Sequence, residues 1–117
     1  MKAHPSCPVQ AAINVLSGKW KVRAVWRLSF GPRRFAELRN LLRGVSEKVL
    51  TSQLRELQRD GIVNRTAALS SPPKVTYSLS RSGKALIPLL EGLCDWGSKQ
   101  FGIIPSLPRN PLARAMP

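Results

Sequence analysis

After Gly61 the spacing of apolar residues changes from a helical period to strict alternation, and few small folds accommodate that change. Upstream, Ser46 to Gly61 (SEKVLTSQLRELQRDG) puts Leu50, Leu54 and Leu57 on one side of a helical wheel. Lys48, Ser52, Arg55 and Arg59 fall on the other side with Thr51 beside them, while Glu47, Glu56 and Asp60 lie on the flanks. Ser46 suits the cap, where a hydroxyl accepts from an unpaired N–H of the first turn, and Gly61 suits the left-handed residue that stops a helix. Downstream, Ile62 to Ala67 reads as a strand, and Val75, Tyr77 and Leu79 alternate with Thr76 and Ser78 in a second. Ser70-Ser71-Pro72-Pro73 between them is a turn that cannot join a ladder, so the two strands form a ribbon directly behind the helix.

The residues before the helix narrow the fold further. A segment from Arg34 to about Leu42 offers Phe35, Leu38, Leu41 and Leu42 to a core and ends at Arg43-Gly44, one turn before Ser46. Two helices parted by a short turn containing Gly make a helix-turn-helix, and the ribbon after it is its wing. Earlier still, Cys7-Pro8 opens a short amphipathic helix with Val9, Ala12, Ile13 and Leu16 at helical spacing, ended by Gly18. Another runs from near Lys19 to about Ser29, with Trp20, Ala24, Val25 and Leu28 inward, Arg23 and Arg27 outward, and Gly31-Pro32 as its break. The last helix starts at Ser80 or Ser82 and reaches about Phe101; Pro88 must either kink it or mark its effective start. Its apolar residues, Leu86, Leu89, Leu90, Leu93, Trp96 and Gly97, form a stripe wider than a small domain needs, so part of it should bury against another copy. The expected architecture is mainly α with a small β-hairpin (α+β). A winged helix-turn-helix domain spans 7–101, an arm covers 1–6, and a proline-rich tail over 102–117 is expected to be disordered.

Charge then indicates the partner. Lys and Arg outnumber Asp and Glu by 19 to 6 in a chain of 117 residues, and no acidic residue precedes Glu37. A formal charge of +13 calls for a polyanion. No apolar run approaches the roughly 20 residues that span a bilayer, no signal-peptide pattern is present, and a cytoplasmic, nucleoid-associated protein without a membrane partner is expected. Cys7 and Cys94 lie far apart without metal-ligand spacing, so neither a disulfide framework nor a metal site is expected. The single histidine, His4, lies in the arm, and no nucleophile, base and orienting group can be assembled; catalysis and a cofactor are not expected.

In order and spacing these residues resemble a family of bacterial regulators. The resembling motifs are Cys7-Pro8-Val9, Gly18-Lys19-Trp20, Gly31-Pro32-Arg33-Arg34-Phe35 with Glu37-Leu38, Ser46 through Leu50-Thr51, and Leu54-Arg55-Glu56-Leu57. They continue through Asp60-Gly61-Ile62-Val63, Arg65, Val75, Tyr77-Ser78-Leu79, Gly83, Pro88, Cys94 and Trp96-Gly97. Over about Cys7 to Gln100 the chain is similar to HxlR-type winged helix transcriptional regulators, relatives of the MarR-like repressors. Arg23 departs from the pattern, standing where an apolar residue is expected. The resemblance implies a homodimer joined through the first and last helices, with Val9, Ile13, Leu89, Leu90, Leu93 and Trp96 at the contact. Each subunit would place helix 46–60 in a major groove of double-stranded DNA, on a palindromic operator with half-sites roughly 34 Å apart.

The DNA-facing set expected from the residues is Arg34, Ser46, Lys48, Thr51, Ser52, Arg55, Arg59 and Lys74. Arg55 is the candidate for a bidentate pair with a guanine edge, whereas Arg59, Arg34 and wing-tip Lys74 suit phosphates. Each also has a plainer reading as a solvated surface charge. Cys7 is a candidate thiol or electrophile sensor, because a helix N-terminus favours thiolate and Lys2 is near in sequence; its plainer reading is a packed cap residue. Basic charge alone also permits an RNA-binding or ribosome-associated protein, but no interleaved aromatic strand offers a stacking platform for bases. A winged helix serving only protein contacts sits poorly with the cationic helix face. The operator, the regulated gene and any small-molecule effector are not written in the sequence.

Overall fold

The computed structural model describes residues 6–104. The arm before Ser6, with Lys2 and His4, and the tail from 105 onward lie outside the described residues. In chain order the elements are α1 (Pro8–Leu16), α2 (Lys21–Leu28), β1 (Arg33–Arg34), α3 (Phe35–Leu41) and α4 (Glu47–Arg59). They continue with β2 (Val63–Ala68), β3 (Lys74–Leu79), α5 (Arg81–Ala85) and α6 (Ile87–Phe101). The fold is a winged helix-turn-helix: α3 and α4 are the two helices of the motif, and β2–β3 is the wing.

Helix α4 forms as its sequence requires at both ends. Ser46 Oγ accepts from the Val49 N–H at 3.1 Å. At the other end the Ile62 N–H reaches back to the Leu57 carbonyl at 2.9 Å, and the Gly61 N–H reaches the Gln58 carbonyl at 3.0 Å. This pattern needs a left-handed residue, and Gly61 supplies φ +76°. Leu50, Leu54 and Leu57 are buried in one core with Ala24, Val25, Leu38, Leu42 and Ile87. Removing each leucine from water is worth about 2 kcal/mol, which ties α4 to the rest of the domain more firmly than helix propensity would.

Ser80 joins the helix-turn-helix to α5. Its Oγ accepts from the Gly83 N–H at 3.0 Å and lies 2.6 Å from the Gly61 carbonyl, while its own N–H donates to the Ile62 carbonyl at 2.9 Å. Gly83 is buried here because a Cβ would stand 2.3 Å from the Ile62 carbonyl oxygen. Thus the end of α4, the start of β2 and the cap of α5 share one hydrogen-bonded junction.

Four expectations are corrected. The sheet has three strands rather than two, in the order β1-β3-β2, with Arg33 opposite Tyr77 and Arg34 opposite Thr76. Two extended residues after Gly31-Pro32 are too few to show an alternating pattern. Helix α2 begins at Lys21, since Trp20 occupies its N-cap position. The C-terminal segment is two helices rather than one, broken at Leu86, while Pro88 stands as one of its two expected readings had it, at the effective start of the long helix, in the first turn of α6 where its missing N–H costs nothing. Leu90, expected at a dimer contact, is 5% exposed and belongs to the protomer's own core, because the helical twist turns it inward from Leu89 and Leu93. Arg23 leaves the orientation of α2 intact: it is exposed with its guanidinium carbon 4.7 Å from the Trp20 ring centre, while Ala24, Val25 and Leu28 fill the core.

Candidate nucleic-acid interface

The outward face of α4 carries Lys48, Ser52, Arg55 and Arg59, with Thr51 half-buried beside them. Together with Glu47 and Glu56 they line one shallow open groove. Among the described residues neither Lys48 nor Arg55 has an ion-pair partner, so both cations are available to an external anion. Thr51 donates its hydroxyl proton to the Glu47 carbonyl at 2.8 Å and so keeps acceptor capacity toward the groove. The two carboxylates along the groove are each answered by cations. Glu47 Oε2 lies 4.0 Å from Arg39 Nη1, and Glu56 Oε1 lies 3.1 Å from Lys21 Nζ and 3.8 Å from Arg59 Nη2. Arg59 also reaches Asp60 at 3.5 Å and is therefore held in place by two acids, unlike Arg55.

The other expected contacts lie on neighbouring elements. Arg34 caps α3 with its backbone, donating its N–H to Glu37 Oε1 at 2.9 Å, and its side chain is exposed. Lys74 starts β3 opposite Ala68 near the wing tip and is exposed. Ser46 is occupied as an acceptor by the cap, but its hydroxyl proton remains free to be given away. Sequence reasoning missed Lys21, which lies 35 residues from Glu56 in the chain; no local pattern signals such a pair. It also missed Gln53, whose amide Nε2 donates to Glu56 Oε2 at 3.3 Å.

A second surface is apolar. A groove of about 970 Å³ runs between α1, α2 and α6 and is lined among others by Val9, Ile13, Trp26, Leu89 and Leu93, with Cys94 on its wall. Val9, Ile13, Leu89, Leu93 and Trp96 are each more than half exposed. Cys7, at the N-cap of α1, is exposed and free. Among the described residues no cluster of acids, histidines and cysteines could hold a metal ion, and no helix is long and apolar enough to cross a membrane.

Residues 15–104 match the family model described as HxlR-like helix-turn-helix. The chain belongs to the HxlR-like helix-turn-helix family. It is 42% identical over 93 residues to the uncharacterized HTH-type transcriptional regulator YdeP of Bacillus subtilis, a match covering 80% of this chain and 73% of that one. The crystal structure of the HTH-type regulator ytcD superposes with a TM-score of 0.78 at 39% identity, covering 83% of this chain and 99% of that one. The redox regulator HypR in its reduced form superposes with a TM-score of 0.77 at 38% identity, covering 80% of this chain and 93% of that one. This HxlR-like protein is accordingly a transcriptional regulator of the helix-turn-helix type, in a family of regulators rather than enzymes.

Proposed function

We propose that this HxlR-like protein is a repressor that binds a palindromic operator in double-stranded DNA as a homodimer. Helix α4 enters the major groove, and the wing over 62–79 lies on the backbone or in the minor groove. The observation that carries this reading is the electrostatic arrangement of α4: Lys48 and Arg55 face outward without ion-pair partners among the described residues, while the adjacent Glu56 is met by Lys21 from behind. An ordinary solvated helix has no need to neutralise its acids from one side and leave its cations open on the other. Within the proposal, Arg55 reads a base edge and Lys48, Thr51 and Ser52 complete the groove-facing set. Arg34, Ser46, Arg59 and Lys74 fix register on phosphates. The exposed apolar residues Val9, Ile13, Leu89, Leu93 and Trp96 form the contact between two copies. Such a protein resides on the nucleoid.

Selection of bound duplexes from a random pool, followed by gel-shift titration against structured RNA at two salt concentrations, tests the reading. A selected, two-fold symmetric duplex bound far more tightly than RNA is expected; equal affinity for RNA overturns it. The same proposal makes Cys7 a thiol sensor. Its support is exposure at the start of α1, beside the proposed dimer contact, and the similarity to HypR, a redox regulator. Diamide treatment should change operator binding of the wild type and leave Cys7→Ser unaffected; identical responses of the two proteins end the sensor role.

A further inference from the structure

Lys21 opens α2 with its side chain turned into the protein, where 5% of it remains exposed. An ammonium at that depth is retained only with an opposite charge against it, and Glu56 of α4 supplies one at 3.1 Å. The same carboxylate takes the Gln53 amide on its other oxygen at 3.3 Å. Gln53 Oε1 is buried without a hydrogen-bond partner and faces Gly18, where a Cβ would come within 2.7 Å of it. Turning the amide over would set Oε1 against the Glu56 carboxylate, so the observed orientation is dictated by that acid. The α1–α2 turn, the first residue of α2 and the middle of α4 therefore meet at one polar junction on the rear of the groove-facing helix.

We infer that Lys21 is a positioning residue for DNA recognition: by holding the Glu56 carboxylate against α2 it keeps that charge from drawing Arg59 and Arg55 off the groove. This role rests on the DNA-binding reading above. Two cations compete for Glu56 Oε1, Lys21 at 3.1 Å in a desolvated position and Arg59 at 3.8 Å with more than half its side chain in solvent. The buried contact is the stronger, because screening there is weaker. Without Lys21 the carboxylate falls to Arg59 alone. Arg59 is then drawn off the groove, and a negative charge stands next to Ser52 and Arg55 where a phosphate would approach.

The test uses the full-length protein and a duplex selected by the wild type from a random pool, with a scrambled duplex of the same composition as control. In Lys21→Met the ratio of selected to scrambled affinity should fall about tenfold, on the scale expected of residues that act through a neighbour. The double variant Lys21→Met/Glu56→Gln should regain most of it. A merely structural lysine would reduce binding to both duplexes by the same factor, and that result, or a double variant no better than the single one, overturns the role. Thermal melting shows whether Lys21→Met folds. If it does not, Lys21→Gln, which keeps a hydrogen-bond donor near Glu56 without the charge, carries the test, and the same fall in the ratio is expected. An unchanged ratio there also overturns it. If the wild type enriches no duplex at all, the DNA-binding reading fails and Lys21 loses this role with it; enrichment with a failed variant test overturns the Lys21 role alone.

Discussion

Arg55 and Lys74 are both exposed cations, yet the proposed function gives them different work. Arg55 stands on a rigid, capped helix with its guanidinium uncommitted among the described residues, the condition for reading a base edge. Arg55→Ala is expected to lower discrimination at one base pair by about 1–3 kcal/mol while binding to scrambled DNA changes little. Lys74 sits near the wing tip, and Lys74→Ala should weaken binding to every duplex and reduce the slope of affinity against salt by about one. Competition binding on selected and scrambled duplexes separates the two. Gly83 is constrained for a different reason, since a Cβ would meet the Ile62 carbonyl at 2.3 Å, and a backbone oxygen cannot yield as a flexible side chain would. Gly83→Ala should therefore cost about 1–3 kcal/mol in urea denaturation.

Helix α4 was legible from its residues because each signal it needs is local: a hydroxyl at Ser46, leucines at helical spacing, a glycine at the left-handed position. Ser46→Ala should lower stability by about 1 kcal/mol. Ser46→Asp should restore the cap, yet weaken binding to all duplexes by placing a negative charge at the groove; denaturation and gel shift on the same samples distinguish the two effects. The wing strands were legible for the same local reason, and the role of Pro88 followed from its missing N–H. Strand β1 was not legible, because two residues carry no period and pair with Tyr77 and Thr76 from far along the chain. Lys21 was not legible either, since a lysine beside a tryptophan reads as a surface charge until Glu56 is brought to it in three dimensions. The assignment of Leu90 failed at the same level: an apolar stripe shows that a helix has a greasy side but not where that side divides between core and surface.

At the scale of the whole molecule the two surfaces on which the proposed function rests lie on different elements, a cationic face on α4 and an apolar face on α1 and α6. The apolar face is what two copies would share under the proposed dimer. Leu93→Glu should shift sedimentation equilibrium toward monomer and lower affinity for a selected duplex, while the melting temperature of the monomer changes little, because Leu93 is 64% exposed in the protomer. The net charge of +13 adds a long-range attraction to any polyanion that salt will weaken. One junction bears on what kind of operator such a dimer tolerates. Ser80 ties the end of α4 to the start of the wing and to α5, so under the proposed function helix and wing would meet the duplex as one unit. An extra base pair between half-sites turns one such unit relative to the other about the duplex axis. In the proposed dimer the adjustment would fall on the contact made by α1 and α6, so spacer length would be a property of that contact rather than of the residues that touch the bases.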